Sequence, residues 1–270
     1  MDILLHKKST LSISKIIMRI STIPFFLLIC TGLQAQQART HTTNSNAWLM
    51  YFGNHKISDR FGLHAEVQWR RHDFITDDQQ LLLRVGLDYY LKDNSRFTVG
   101  YAFVETYPYG DFAVAKAFPE HRIWQQFTTS QQLGKIKLAH RYRLEQRMIG
   151  NATTGQFNNG RYENRFRYMA KATIPLNPTS KHPLFLAMYD EVFVNWGKEV
   201  AYNIFDQNRL YGALGITLSA KTKIEVGFLF QLIQLRSLAN STISPQNRIE
   251  DNYTFQLGAF QNLDFRKKEK

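Results

Sequence analysis

The chain is short of the residues that staple or punctuate small folds. Its 270 residues include one cysteine, Cys30, and 7 prolines. A single cysteine excludes a disulfide scaffold and any zinc or iron–sulfur site built on clustered thiolates. No His-Glu-x-x-His spacing offers a metal site, and the 15 glycines stand singly rather than in phosphate-cradling loops. Acidic residues are scarce, 22 against 34 lysines and arginines, for a formal net charge of +12. What is plentiful is apolar and aromatic. Hydrophobic residues make up 44% of the chain, with 20 Phe and 13 Tyr, which excludes a disordered polymer. The mean hydropathy of −0.35 suits a water-soluble protein. A basic, aromatic-rich chain fits a nucleic-acid binder or a membrane-interface protein, and arrangement decides between them.

Residues 1–35 read as a secretory signal peptide. Arg19 precedes a short apolar run, Ile23-Pro24-Phe25-Phe26-Leu27-Leu28-Ile29-Cys30, and a small residue, Ala35, precedes a polar stretch. The run is too short for a spanning helix, which needs about 20 apolar residues. Cleavage is expected after Ala35, and Met18 offers an alternative start. Cys30 follows Ile29 rather than a small residue, which argues against lipid attachment there. Removing the segment leaves thirty basic and twenty-one acidic residues, a net +9, and no cysteine, as suits an oxidising compartment.

From Ala47 onward the chain alternates with period two over segments of about 10–14 residues. In Phe61–Arg71, Leu63, Ala65, Val67 and Trp69 share one face and His64, Glu66, Gln68 and Arg70 the other. Lys135–Ile149 sets Ile136, Leu138, Tyr142, Leu144 and Met148 against Lys137, Arg141, Arg143, Glu145 and Arg147. Gln80–Leu91, Arg96–Tyr107, Arg161–Ile174, Lys223–Leu235 and Tyr253–Phe265 behave likewise. Successive strand residues point to opposite faces, so each segment carries one apolar and one polar face. Globular strands average about 5–6 residues, whereas a tilted strand crossing a bilayer needs about 9–11. Length, and a polar face charged along whole strands, favour a transmembrane antiparallel β-barrel over a soluble sandwich.

Connections alternate, with short turns at Asn54–Arg60, Lys92–Ser95, Ser130–Gly134 and Ala220–Thr222, and a longer but Pro-punctuated one at Pro175–Pro183. Longer ones fall at His72–Asp78, Pro108–Glu120, Gly150–Gly160, Gly197–Asp206 and Arg236–Asp251. The short side is then periplasmic. About eleven strands are countable, but bacterial single-chain barrels have even numbers. Ten is expected if Ala47–Gly53 is not a wall strand, and twelve if Arg39–Asn46 adds one. The last strand is expected to close on Phe265. Residues 36–270 therefore form a single barrel domain of about 10–12 strands.

The arrangement resembles a family of outer-membrane barrels catalogued as a domain of unknown function (number 2490). The resemblance covers nearly all of residues 36–270. It rests on the Trp48 strand with the Lys56-Ile57-Ser58 turn, Gln68-Trp69-Arg70, His140 through Arg147, Arg165-Phe166-Arg167-Tyr168 and Asp190 through Asn195. The resemblance implies an outer-membrane location in Gram-negative bacteria and supplies no catalytic residues.

The candidate site is a charge network in the lumen: Arg141, Arg143, Glu145 and Arg147 on one strand, Arg161, Glu163, Arg165 and Arg167 on the next, and Glu191. Side chains opposite one another on neighbouring strands sit about 5 Å apart, so opposite charges pair. Glu66, Asp88 and Glu191 are placed to reach across. The network either fills and rigidifies a narrow barrel or, through its surplus arginine, attracts anions. Asp190 and Glu191 are adjacent, so a β-bulge or a rim position is expected there, with Glu191 and Asn195 inward. Trp48, Tyr51, Trp69, Tyr89, Tyr101, Tyr107, Trp124, Tyr142, Tyr168 and Trp196 are read as an interfacial belt.

An enzyme acting on envelope lipid is the alternative. It requires a nucleophile beside a base. Of the candidates His64, His72, His121 and His140, the alternation places His140 on the lipid face, with Ser130 at a turn as the nearest serine. A soluble periplasmic β-barrel is the remaining alternative. No catalytic residue, metal, cofactor or nucleic-acid partner is expected. The expected partners are the outer-membrane bilayer and, during biogenesis, the barrel-assembly machinery.

Overall fold

A computed structural model describes residues 39–91, 94–238 and 247–266. The signal-peptide reading, with Met18, Cys30 and Ala35, lies outside the described residues. Eleven strands follow in order: β1 (Arg39–Lys56), β2 (Phe61–His72), β3 (Asp77–Tyr90), β4 (Arg96–Thr106), β5 (Phe118–Leu133), β6 (Ile136–Asn151), β7 (Gln156–Pro175), β8 (Leu184–Trp196), β9 (Phe205–Ser219), β10 (Thr222–Leu238) and β11 (Asn247–Gln261). Each pairs antiparallel with the next, and β1 pairs with β11 to close the barrel. Closure leaves no strand edge unpaired.

Eleven strands lie within the expected 10–12 and match the number countable in the sequence, and they overturn the lean toward an even count. Ala47–Gly53 is a wall strand, and Arg39–Asn46 is the first half of that same strand. When neighbours alternate in direction, an odd number leaves the first and last strands running the same way. The closing pair is accordingly parallel, in unbroken register from Arg39↔Asn247 to Gly53↔Gln261. Phe265 does not end a strand either. β11 stops at Gln261, and residues 262–266 run back beside Lys56, where Phe265 N donates to Lys56 O at 2.9 Å.

Strand length runs from 11 residues in β4 to 20 in β7. Strands extend into several of the expected loops: β2 joins β3 through 73–76, β6 joins β7 through 152–155, and β5 runs through Ser130 to Leu133. The two rims therefore differ less in loop length than expected, while 176–183 is, as expected, a longer connection on the shorter-turn rim.

The two faces divide cleanly. Leu63, Val67, Leu83, Val85, Leu87, Val99, Leu144, Leu214, Val226 and Phe228 all lie exposed on the outside. Buried inside are Glu66, Arg84, Asp88, Arg143, Glu145, Glu163, Arg165 and Glu191. A smaller apolar cluster, Trp48, Met50, Tyr211, Ala213 and Leu229, shares the interior at β1, β9 and β10. Glycine admits one bulky inward side chain. Gly86 and Gly100 face each other across β3 and β4 beneath Trp124, and a Cβ on Gly100 would stand 2.2 Å from Val85 O and 2.7 Å from the indole.

Candidate functional site: a charged septum across the lumen

The β6–β7 register sets Glu145 opposite Arg165, Arg147 opposite Glu163, and Arg143 opposite Arg167. The first two pairings join opposite charges, while the third juxtaposes like charges, an unfavourable arrangement by itself. Neighbours relieve it. Arg167 turns to Glu145 Oε1 at 2.9 Å and Glu191 Oε1 at 2.8 Å, whereas Arg143 turns away to Gln126 Oε1 at 2.8 and 2.6 Å.

Glu145 is the hub, with no exposed surface. Arg165 Nη2 donates to its Oε2 at 2.5 Å, Arg167 Nη1 to its Oε1 at 2.9 Å, and Arg84 Nη2 reaches Oε1 from β3 at 3.4 Å. Removing charged groups from water is costly, and only close, well-satisfied pairing offsets that cost. Glu191 accepts from Arg141 at 2.7 Å and from Arg167. Arg161 holds Glu163 at 2.7 Å, and Arg147 reaches Glu163 at 3.6 Å. Asn195 is buried with Nδ2 on Asn203 O at 3.0 Å. The nine arginine and glutamate side chains singled out from the sequence fall into two interior sets: Glu145 and Glu191 gather Arg141, Arg143, Arg165 and Arg167, while Glu163 gathers Arg147 and Arg161.

Asp88 joins neither set. Instead of reaching across, it accepts from Thr98 at 2.6 Å and from Arg96 at 3.2 Å on the adjacent strand. Glu66 pairs with Arg84 at 2.6 Å. Two carboxylates escaped the sequence reading. Glu120 lay in a presumed loop, but β5 starts at Phe118, and Glu120 accepts from Arg122 and Arg147, each at 2.6 Å. Asp206 meets Arg165 at 2.9 Å because a bulge opposite Phe193 and Val194 turns both Asp206 and Gln207 inward. That bulge is not where it was expected. Pairing is regular through Asp190 and Glu191, so Asp190 points outward and takes a 2.6 Å hydrogen bond from Asn208.

Two tryptophans assigned to the interfacial belt are interior. Trp48 is 2% exposed and Trp124 is fully buried. The Arg70 guanidinium lies 4.0 Å from the Trp48 ring and Arg209 lies 5.2 Å from it; Arg209 and Arg167 lie 4.8 and 4.3 Å from Phe193. Arg143 and Arg84 flank Trp124 at 5.0 and 5.4 Å. Each such contact contributes about 0.5–2 kcal/mol, more as water is excluded. Among the described residues, Arg70 and Arg209 have no carboxylate partner; aromatic faces and amides such as Gln68, Gln80 and Gln207 hold them. Tyr51, Trp69, Tyr89, Tyr101, Tyr142, Tyr168 and Trp196 keep surface on the outside.

Three cavities follow one another along the lumen, of 690, 220 and 210 Å³. The largest lies under the 107–117 connection, where Tyr109 donates to Glu250 at 2.9 Å. Burial and the Glu250 carboxylate push the Tyr109 phenol well above its usual range, so it stays a donor. The second and third cavities share Trp48, Gln68, Arg167 and Arg209 as lining. These four side chains stand where the two cavities meet.

The four candidate histidines hydrogen-bond tyrosine, asparagine or glutamate side chains. His140 packs against Tyr168 with a 2.9 Å hydrogen bond, and His121 bonds Tyr101 among Phe103 and Phe157. His64 faces inward to Asn54 at 2.9 Å and Glu66 at 3.4 Å, and His72 meets Asn46 at 3.2 Å. Thr129, which the sequence reading did not weigh, is opposite His140 in register, but its hydroxyl takes a hydrogen bond from Ser95. Among the described residues, none of these four histidines hydrogen-bonds a serine or threonine.

Charges inside, apolar side chains outside and closure without an edge define a closed all-β barrel with an occupied polar lumen. The chain belongs to the family described as "Protein of unknown function (DUF2490)", whose model matches residues 45–242. No curated protein and no solved structure matches the chain.

Proposed function

We propose that this protein is an outer-membrane β-barrel whose lumen is closed by the Arg–aromatic septum, serving as a structural or small-solute barrel rather than an open pore or an enzyme. The observation that carries the reading is the inverted distribution of side chains. Val85, Leu87, Leu144, Leu214, Val226 and Phe228 are exposed around the wall while arginines and glutamates are buried within. A soluble monomer rarely exposes a contiguous apolar patch beyond a few hundred Å², and hydrocarbon is the solvent for which an unbroken apolar wall is favourable. The lipid bilayer is then the main partner, and delivery to it falls to the barrel-assembly machinery.

The septum supports a closed lumen. Trp48, Gln68, Arg167 and Arg209 leave a 220 Å³ and a 210 Å³ chamber on either side instead of one channel. Barrels of about eight strands are filled by side chains and those of sixteen leave a channel. Eleven strands with long arginines lie between, on the filled side. The test is fractionation with heat-dependent gel migration, followed by planar-bilayer conductance of the refolded protein. Outer-membrane recovery, a heat-induced mobility shift and no steady ohmic current are expected. A protein that stays soluble without detergent overturns the membrane reading, and a steady current overturns the closed lumen.

A further inference from the structure

The 210 Å³ chamber is lined by both apolar and cationic side chains. Met50, Phe52 and Phe260 enter its lining from the paired strands β1 and β11, with Phe52 and Phe260 stacked at 4.9 Å. Arg96 enters from β4 and Arg141 and Arg143 from β6, with Met169 of β7 opposite Arg141 in register. Counting the whole lining, six cationic side chains (Arg96, Arg141, Arg143, Arg167, Lys171 and Arg209) face three carboxylates (Glu66, Glu191 and Glu225).

Most of these cations are committed. Lys171 holds Glu225 at 2.8 Å, Arg141 and Arg167 hold Glu191, and Arg96 holds Asp88. Arg143 is not. It is 2% exposed, its Nη1 makes no hydrogen bond, and the nearest carboxylate oxygen, on Glu145, is 3.8 Å away. The buried Nε of Arg141 is likewise without a hydrogen-bond partner. A buried guanidinium with an unused donor carries a desolvation cost that an anion would relieve. Arg96, Arg141 and Lys171 retain 18%, 19% and 20% of their side-chain surface, so solvent reaches this chamber.

We propose that this chamber binds a small amphipathic carboxylate, its anionic head on Arg143 and its apolar body against Met50, Phe52 and Phe260. The inference rests on the closed-barrel reading, because an open channel would not retain such a ligand. A carboxylate suits the planar guanidinium fork. The apolar lining disfavours inorganic phosphate, which would leave that surface uncovered. The chamber has room for about seven waters at about 30 Å³ each, enough for a single-ring acid and too little for a diacyl lipid.

The test uses 4-fluorobenzoate and ¹⁹F NMR with the full chain refolded in a non-ionic detergent. Saturable binding is expected, with 4-fluorobenzyl alcohol failing to bind and inorganic phosphate failing to compete. Arg143→Gln should weaken binding about tenfold or more. Should that variant not fold, Met169→Trp fills the chamber while leaving Arg143 in place, and it should abolish binding. Absence of saturable binding, equal binding of the alcohol, displacement by phosphate, or unchanged affinity in the folded variants overturns the proposal. Heat-dependent migration and conductance on the same preparation separate the two readings. A folded, non-conducting barrel that ignores the probe refutes the ligand site alone.

Discussion

Leu144 and Glu145 are adjacent in β6 and belong to opposite environments. Leu144 is 41% exposed on the outer wall, while Glu145 has no exposed surface inside it. In a soluble sheet the apolar residue would be inside. The four tryptophans repeat the contrast. Trp69 and Trp196 stand outside at 45% and 44% exposure, and Trp48 and Trp124 stand inside against guanidinium groups. The outer wall exposes apolar side chains, and the inner wall buries charges that satisfy one another. Neither wall is a conventional hydrophobic core.

Breaking the inner wall at its hub should have the largest effect. Glu145→Gln removes the charge shared by Arg165, Arg167 and Arg84. It should cost about 3–5 kcal/mol, because uncompensated buried guanidinium groups remain. Urea unfolding of the protein in lipid vesicles measures this. Leu144→Arg, one residue away, should cost about 2–4 kcal/mol in vesicles, the penalty for a cation on the lipid face, and much less in detergent micelles. A soluble barrel would show no such dependence on the surrounding.

Smaller effects sharpen the contrast within each wall. Trp48→Leu removes the ring beneath Arg70 and Arg209 and should destabilise by about 1–2 kcal/mol. It also thins the septum, so small-anion leakage from loaded vesicles should rise if the septum is the barrier. Asp190→Asn should change stability by less than about 1 kcal/mol, since Asp190 is exposed and held only by Asn208 among the described residues. A large loss there would mean that Asp190 has a partner outside the chain.

The barrel was readable because alternation survives in sequence wherever one face meets charge and the other does not. The eight charged residues of β6 and β7 follow from that parity alone, whereas Glu191 of β8 has Asp190 beside it, so parity did not settle which of the two faces inward. Strand number was harder. The Thr- and Asn-rich start of β1 carries polar residues on both faces, so Arg39–Asn46 shows no pattern, and the parallel β1–β11 pairing leaves no local signature. Trp124 was legible and misread. It shares parity with Arg122 and Gln126, which places it inward, yet its chemistry suggested an interface. Asp206 was not legible, because a bulge breaks the parity that would have located it. Glu120 was hidden by Pro119, which suggested a loop although it pairs with Glu105 inside the sheet.

Quenching by brominated lipid tests the inverted barrel most directly. Two variants are compared in vesicles: one with Trp48→Phe and Trp124→Phe, retaining the outer pair, and one with Trp69→Phe and Trp196→Phe, retaining the inner pair. Strong quenching of Trp69 and Trp196 with little quenching of Trp48 and Trp124 is the predicted result. Equal quenching of both pairs, or none of the outer pair, would contradict it.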